Sequence, residues 1–416
     1  MINMPDKTLP FTNEELEGIL KEHPTPFHIY DEAGIRKTAR SLNNAFIWNV
    51  GYRNYFAVKA LPNPHILHIL HEEGMGADCS AMQELMIAES VRMRGEEIMF
   101  TSNGTPASEY EYAKNLRAII NLDDISHIDF FENCAGLPSL LSFRYNPGAA
   151  REGNAVIGKP EEAKYGLTTE QITRAYKLAR EKGVNQFGLH TMIISNELRE
   201  DYFIETARML FSLAAEISEE TGIDFEFINL GGGIGIPYKP EQNSVDLGKI
   251  SRGVKNAKAE FLDSAGLEPK IFTECGRYVT GPHGCLVTKV LHVEHKYRDY
   301  VKVDATMANL MRPALYGAYH HITVLGKEDM PAINVYDVTG SLCENNDKFA
   351  IQRPLPLIEP GDTLVIHDTG AHGHAMGFNY NGKLRSAELL LLEDGFVKQI
   401  RRAETPKDYF ATLEPL

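Results

Sequence analysis

"YFAVKA", residues 55–60, is an apolar run with β-branched character that stops on a lysine and continues into Leu61-Pro62-Asn63-Pro64. A short apolar stretch bounded by turn signals reads as a buried strand. From residue 52 onward the same unit recurs. Eight strand-like stretches follow one another: "YFAVKA" (55–60), "GADCS" (76–80), "EIMFTS" (97–102), "AIINLD" (118–123), "LLSFRYN" (140–146), "QFGLHTM" (186–192), "EFINLGG" (226–232) and "KIFTECG" (270–276). Helical stretches separate most of them. "SAMQELMIAESVRMRG" opens on a serine cap and places Met82, Leu85, Met86 and Met93 near one face, interrupted by Glu89. "TTEQITRAYKLAREKG" has a threonine cap, Ile172, Ala175 and Leu178 at helical spacing, and a closing glycine. The gap between the fifth and sixth strands is long and holds a charged, glycine-bearing loop. Eight βα units predict an α/β fold, a (β/α)8 TIM-like barrel over residues 30–280. A doubly wound sheet is the competitor, and the strand count favours the barrel.

After residue 280 the rhythm changes. "GCLVTKVLHVEHK", "DYVKVDA", "AINVYDVTG", "DTLVIHDTG" and "GFVKQIRRA" read as strands without long helices between them. They predict a C-terminal all-β domain, a β-sandwich or β-barrel-like body of residues 281–416. Residues 1–29 join it, with "PFHIYD" adding a strand.

Composition narrows the function. The chain has 416 residues, enough for two cores, with 43% hydrophobic and 24% charged residues, as in a globular enzyme. The longest apolar runs are too short to span a bilayer. "MINMPDKTLPFTNEELEGIL" has acidic residues and no apolar core, unlike a signal peptide. A formal net charge of -15 argues against nucleic acid or an anionic membrane as partner. The five cysteines (Cys79, Cys134, Cys275, Cys285, Cys343) are scattered and odd in number, which suggests a reducing cytoplasm rather than a disulfide framework.

In such a barrel the reactive groups gather where strands end. The strand ends here carry Lys59, Cys79 with Ser80, Asn103, His190, the glycines 231–233, and Glu274 through Arg277. A strand-end lysine can snorkel to water, or it can be an amine nucleophile that forms a Schiff base. In "NLGGGIG" (229–235), Gly231, Gly232 and Gly233 let backbone approach a ligand and offer N–H groups to an anion, or simply make a tight turn. It is a poor Rossmann fingerprint, because it comes seventh and lacks a following acidic partner. "ECGRY" (274–278) combines a carboxylate able to bind a pyridinium nitrogen, backbone at Gly276 for a phosphate, and Arg277 for a bidentate grip. A surface Glu–Arg pair is the simpler alternative. His190 fits a core histidine as well as a functional one. In the β domain, "MANLMRPALYGAYHHI" holds Arg312 and Tyr316, "GSLCENNDKF" holds Cys343, Glu344 and Asp347, and "HDTGAHGHAMGFNYNGKLRSAE" holds His372, His374 and Tyr380. His367, His372 and His374 could be read as metal ligands, but no carboxylate or cysteine stands at a ligand spacing, so no metal is expected.

In this order the motifs resemble those of the fold type III, alanine-racemase-like pyridoxal-phosphate enzymes, and most closely a divergent branch of the diaminopimelate decarboxylases. "YFAVKA" is similar to the cofactor-lysine motif, "NLGGGIG" to the phosphate loop, "ECGR" to Glu-x-Gly-Arg, "RPALYGAYH" to the substrate-binding segment and "CENND" to the Cys-Glu motif. The resemblance implies pyridoxal 5'-phosphate as cofactor and an amino acid as substrate. It implies that Lys59 holds the cofactor as a Schiff base and that His190 lies against its ring. Gly231, Gly232, Gly233, Gly276 and Arg277 would surround the phosphate, with His372 and Tyr380 completing the cofactor set. Glu274 would pair with the pyridine nitrogen, which favours decarboxylation over racemisation, since racemases on this scaffold usually place an arginine there. Arg277, Arg312, Tyr316 and Glu344 would hold the substrate's distal end. Two arginines close together call for a second carboxylate, which favours diaminopimelate over ornithine or lysine. Cys343 would reach into a partner's site in a homodimer, and Cys343 or Lys59 would return the final proton.

Three departures stand out. "HTMIIS" replaces the usual His-x-Gly-Ser, Cys275 replaces a proline, and His372 replaces a tyrosine in "GAH". They keep decarboxylation of D-lysine or D-ornithine as an alternative. A non-catalytic pyridoxal-phosphate carrier is half this length, and a metal-dependent barrel hydrolase would need a ligand set.

Overall fold

The computed structural model describes residues 7–154 and 158–414. Residues 1–6 and 415–416 of the expected β domain, and 155–157 of the long loop, lie outside the described residues. The chain folds as two units. One comprises Arg36–Ile236 and Ser244–Val279; the other comprises the described residues up to Ile35, Pro237–Asn243, and the chain from Thr280 onward.

After a first strand, β1 (Phe27–Asp31), which belongs to the second unit, eight parallel strands close into a barrel. They are β2 (Arg53–Ala57), β3 (Gly76–Cys79), β4 (Ile98–Thr101), β5 (Ile119–Leu122), β6 (Leu140–Tyr145), β7 (Gln186–Thr191), β8 (Phe225–Asn229) and β9 (Lys270–Thr273). Each pairs with the next, and β2 returns to β9 through Arg53↔Phe272 and Asn54↔Thr273. The (β/α)8 expectation therefore holds. The interior is layered, because side chains in a strand alternate with period two. Tyr55, Met99, Ile119, Phe227 and Phe272 pack as an apolar plug, with the Phe227 and Phe272 rings stacked 4.8 Å apart. Gly188 leaves room for that plug, since a Cβ there would lie 2.1 Å from the Phe227 ring. Two residues further along their strands come Thr101, Asn121, His190, Asn229 and Glu274, all buried and all polar. The plug thus carries a polar layer at the end where the strands finish.

The flanking helices depart from expectation in detail. The helix Met82–Ser90 buries Leu85 and Ala88 but exposes Met86. Ser80 is not its cap: its N–H and hydroxyl both donate to the Glu84 side chain (2.7 and 3.0 Å). The helix Thr169–Glu181 buries Ile172 and Ala175 as expected, but with Tyr176 and Ala179, while Leu178 is only partly buried.

The second unit holds β10 (Gly284–His295), β11 (Asp299–Val303), β12 (Ile322–Val324), β13 (Asn334–Thr339), β14 (Lys348–Leu355), β15 (Thr363–Ile366), β16 (Ala387–Leu391) and β17 (Val397–Arg401). Its sheet runs β14-β13-β11-β10-β1-β16-β17, with β15 also beside β10 and β12 beside β15. β1 pairs antiparallel with β10 and parallel with β16. Three of these strands, β12, β14 and β16, were not legible in the sequence. Among the described residues no helix is long and apolar enough to cross a membrane.

Candidate active site

The polar end of the barrel gathers the charged candidates. β2 stops at Ala57, so Lys59 does not end a strand; it rides on the single turn Val58–Ala60 just beyond it. Its side chain is 54% exposed and its Nζ lies 4.0 Å from Asp78 Oδ2. Asp78 is buried inside β3. Burial, and then the negative charge of Glu274, raise its carboxyl well above the usual range, against the pull of Lys59.

Glu274 follows β9 and is nearly enclosed. Asn229 Nδ2 donates to its Oε1 (2.8 Å), and His190 Nε2 lies 3.0 Å from its Oε2. Burial alone would raise this carboxyl. The positive charge of His190 and its hydrogen bond, then the cations Lys59 and Arg144, outweigh burial and hold it below its ordinary value. Two buried carboxyls in one site are thus pushed in opposite directions, the arrangement that separates an acid from an anion.

The glycine loop is locked to this carboxylate. Asn229 Oδ1 accepts the Gly231 N–H (2.9 Å), so one amide orients both Glu274 and the loop. Gly231 has φ +72°, and a Cβ there would meet the Thr191 carbonyl oxygen at 2.2 Å. A Cβ on Gly232 would lie 2.4 Å from the Glu274 carbonyl oxygen. The glycines are therefore required by close backbone approach, quite apart from any ligand. At Gly276 a Cβ would meet Ala60 Cβ at 2.9 Å, so the turn that carries Lys59 packs directly on "ECGR". Asn54 clamps the same segment, its Oδ1 accepting from the Cys275 N–H (2.8 Å) and from Thr273 Oγ1 (2.9 Å). A proline at 275 could not make the first of these bonds. Arg277 is buried at the start of the short helix Arg277–Thr280.

His190 has no exposed surface. It sits within the polar layer under Glu274, not on an open face as expected of a group against a cofactor ring. Beyond the end of β7 comes Met192, partly exposed, whose Sδ accepts the Gly232 N–H (3.3 Å). Sequence reasoning passed over Asp78, Asn121, Asn229, Asn54 and Met192. The available signal was a polar residue two places after an apolar one in a barrel strand.

The second unit places its candidates differently. Arg312 is buried, its guanidinium 4.5 Å over the Tyr238 ring and its Nη1 2.9 Å from His320 Nε2. Tyr316 is half-exposed at the end of the helix Arg312–Tyr316. Glu344 and Tyr380 meet, the phenol donating to Glu344 Oε1 (3.0 Å). Cys343 is exposed, and its N–H donates to Asn381 Oδ1 (3.2 Å). Asp347 anchors that loop by accepting the N–H groups of Met307 (2.6 Å) and Leu342 (2.8 Å). His372 adopts a left-handed backbone, φ +55°, uncommon for a residue with a Cβ. His367 and His374 are engaged separately, by Thr323 Oγ1 (2.8 Å) and the Ser386 carbonyl (3.0 Å). Among the described residues no group of three or more His, Cys, Asp or Glu could hold a metal ion.

An exposed amine, a buried anionic carboxylate and a glycine loop joined to it form a donor set that fits a carbonyl cofactor with a basic ring nitrogen. Pyridoxal phosphate has both. The family model "Pyridoxal-dependent decarboxylase, pyridoxal binding domain" matches residues 32–281. The protein TabA of Pseudomonas amygdali pv. tabaci is 44% identical over 400 residues, 96% of this chain and 93% of that protein. A diaminopimelate decarboxylase of Methanothermobacter thermautotrophicus is 34% identical over 392 residues, 93% of this chain and 91% of that one. Among solved structures, the diaminopimelate decarboxylase of Helicobacter pylori complexed with L-lysine superposes with a TM-score of 0.87 at 30% identity, covering 95% of this chain and 98% of that chain.

Proposed function

The chain belongs to the pyridoxal-dependent decarboxylases, and within that family we propose that it removes the D-centre carboxylate of meso-diaminopimelate as CO2 and releases L-lysine. It is a pyridoxal-phosphate-dependent carboxy-lyase. The observation that carries the reading is Glu274, an anionic carboxylate held by an amide and an imidazole on the same barrel end as the exposed Lys59 amine.

Pyridoxal phosphate, when bound, supplies the carbonyl that captures an amine and the ring that accepts the electron pair left by departing CO2. Lys59, 54% exposed, would be the amine that holds it. Glu274, kept ionised, would hold a proton on the ring nitrogen. Gly231, Gly232, Gly233 and Gly276, with Arg277, would surround the phosphate, and His372 and Tyr380 would complete the cofactor set, the Gly231 and Gly232 N–H groups being donated here to Asn229 Oδ1 and Met192 Sδ. For the substrate's distal amino-acid head, Arg277, Arg312 and Tyr316 offer donors to a carboxylate and Glu344 an acceptor to an ammonium. Cys343 or Lys59 returns the proton at the carbon that lost CO2. The reading extends to a cytoplasmic homodimer in lysine biosynthesis, each subunit lending Cys343 to the other's site. If so, inactive Lys59→Ala and Cys343→Ala subunits, mixed and exchanged, regain about a quarter of wild-type activity, because half the dimers form with one intact site. No recovery despite proven exchange rules out shared sites.

A second reading, a D-lysine or D-ornithine decarboxylase, draws on the higher identity to TabA, whose name specifies no substrate, and on His372. CO2 release from meso-diaminopimelate, D-lysine, D-ornithine and L-ornithine separates the two. Preference for meso-diaminopimelate supports the first; preference for a D-diamino acid replaces it with the second.

A further inference from the structure

We propose that Asn54 is a positioning residue for the cofactor site. Its side-chain amide closes the barrel seam between β2 and β9, and so fixes the spacing between the turn that carries Lys59 and the segment that carries Glu274; this rests on the reading of those two residues given above.

The seam is short. Among the described residues β2 and β9 share two pairs, Arg53↔Phe272 and Asn54↔Thr273, where every other neighbouring pair of barrel strands shares three or more. Beyond the second pair β2 leaves β9, while the chain after β9 runs on as Glu274, Cys275, Gly276 and Arg277. Buried backbone groups there need another partner. The Asn54 side chain supplies it. Its Oδ1 accepts the Cys275 N–H (2.8 Å) and its Nδ2 donates to the Cys275 carbonyl (3.2 Å). A backbone N–H only donates and a carbonyl only accepts, so the chain it grips settles which way the amide points. One side chain thus takes both backbone groups of Cys275, as a neighbouring strand would. The same Oδ1 accepts from Thr273 Oγ1 (2.9 Å). The threonine hydrogen is then spent, so the Tyr52 hydroxyl donates to Thr273 Oγ1 (2.8 Å). The residues on both sides of Glu274 are therefore held by one amide, itself wholly buried.

Asn54 acts through the backbone and not on a ligand. Tyr55 and Phe272 belong to the plug inside the barrel, so alternation along the strands turns Asn54 and Thr273 to the outer side. Glu274, one residue on, faces inward again. Two contacts join the clamp to the reactive groups. The Glu274 N–H donates to the Gly231 carbonyl (2.8 Å), which ties the segment to the glycine loop. A Cβ at Gly276 would lie 2.9 Å from Ala60 Cβ and 3.1 Å from Ala57 Cβ, so the segment rests directly on the turn that carries Lys59. The carbonyl group and the ring nitrogen of pyridoxal phosphate stand at opposite ends of one rigid ring. The amine and the carboxylate that meet them must keep a fixed separation. The seam is where the strand leading to one meets the strand leading to the other.

The far end of the same seam offers a comparison. Asn49, ahead of β2, accepts the Ile271 N–H with its Oδ1 (2.8 Å) and is also buried. The bond is of the same kind and joins the same part of the chain, at the end of the barrel away from Glu274.

The test sets Asn54→Ala against Asn49→Ala. Exchange of the Cys275 amide hydrogen in the cofactor-free enzyme, read by mass spectrometry, should speed up in Asn54→Ala and not in Asn49→Ala. The dissociation constant for pyridoxal phosphate, followed by the absorption of lysine-bound cofactor, should rise about 10-fold in Asn54→Ala, the scale of one buried hydrogen bond, and less than about 2-fold in Asn49→Ala. Unchanged exchange at Cys275 overturns the proposal. So does an equal rise in both variants, or no rise in Asn54→Ala despite faster exchange, since the clamp would then serve folding alone. If Asn54→Ala does not fold, Asn54→Asp decides against Asn49→Asp. It keeps the shape and the accepting oxygen but sets a second oxygen against the Cys275 carbonyl, and should raise the dissociation constant by a similar factor; equal values in the two overturn the proposal. Lys59→Ala separates this proposal from the reading beneath it. If that variant keeps the lysine-bound absorption, the reading falls and the proposal with it. If the absorption is lost and Asn54→Ala still binds cofactor as Asn49→Ala does, the seam proposal alone falls.

Discussion

Two buried carboxylates, Glu274 in the barrel and Glu388 in the β unit, are held in different ways. In the β unit, Glu388 accepts from the Tyr30 hydroxyl (2.7 Å) and from the guanidinium of Arg401, with His374 Nδ1 3.7 Å away. Burial would raise its carboxyl, but His374 and Arg401 bring it below the usual value. In the barrel, Glu274 also lies below its usual value, yet its two hydrogen-bond donors are an amide and an imidazole. Glu388 has a permanent cation bonded to it, and its charge is consumed inside the fold. Among the described residues Glu274 has no permanent cation hydrogen-bonded to it; the charge that lowers it comes first from His190, which can lose its proton. A buried anion stabilised in that second way is costly to maintain for folding alone. The difference leaves Glu274 without a permanent counter-ion bonded to it, as its proposed pairing with the cofactor's ring nitrogen requires.

The largest effect tests whether the barrel end is the chemical centre at all. Lys59→Ala should lower kcat by roughly 10^4-fold or more, the scale of losing a covalent catalytic group, and remove the absorption of lysine-bound cofactor. A variant that keeps both would end this account of the barrel. Next comes the comparison itself. Glu274→Gln should cost about 10^2- to 10^3-fold in kcat, as for removal of one preorganised electrostatic partner, with little change in unfolding midpoint. Glu388→Gln should do the reverse, leaving kcat near wild type and lowering stability by about 2 kcal/mol in urea unfolding. The estimate is below the usual cost of breaking a buried pair because Arg401 is 40% exposed and regains water. If the two variants behave alike, the two carboxylates do not differ in purpose.

How far the sequence discloses all this follows from the same contrast. The eight barrel strands read cleanly because strands covered on both faces are short apolar runs between turns. Lys59 and Glu274 stood out because charge directly after such a run has few reasons to be there. What did not read was depth. His190 lies near the end of its strand like the others, but stepping by two from Gly188, which makes room for Phe227, puts it in the buried polar layer. Its partner Asn121 is on β5, two strands away around a closed barrel, and no local pattern announces that contact. In the β unit the missed strands have physical excuses. β12 has only three residues. β14 carries Lys348, Gln352, Arg353 and Pro354 at the sheet edge, where a proline is tolerated. Glu344 and Tyr380 meet through loops 36 residues apart, beyond the reach of periodicity.

The smallest expected effect sharpens the comparison through pH. A carboxyl whose folded pKa lies below its unfolded value, near 4.3 for glutamate, takes up a proton on unfolding. Its contribution to stability is complete above the unfolded value and is lost as pH falls through the lower, folded one. Glu274 and Glu388 both shift this way. Asp78 shifts the other way, because burial and the charge of Glu274 raise it. Its folded form binds the proton more tightly, so its contribution is complete below the unfolded aspartate value of about 3.9 and is lost as pH rises toward the folded one. Urea midpoints at about pH 4 and pH 7 therefore separate the groups. Glu388→Gln should flatten the rise in stability from acid to neutral relative to wild type. Asp78→Asn should steepen it, since the variant no longer meets a cost of ionising that position. The sign of each change in slope relative to wild type is the readout. An Asp78→Asn protein with an unaltered profile would mean that Asp78 is ionised beside Glu274. The barrel would then hold two anions at its reactive end, and the separation of acid from anion on which the site depends would be gone.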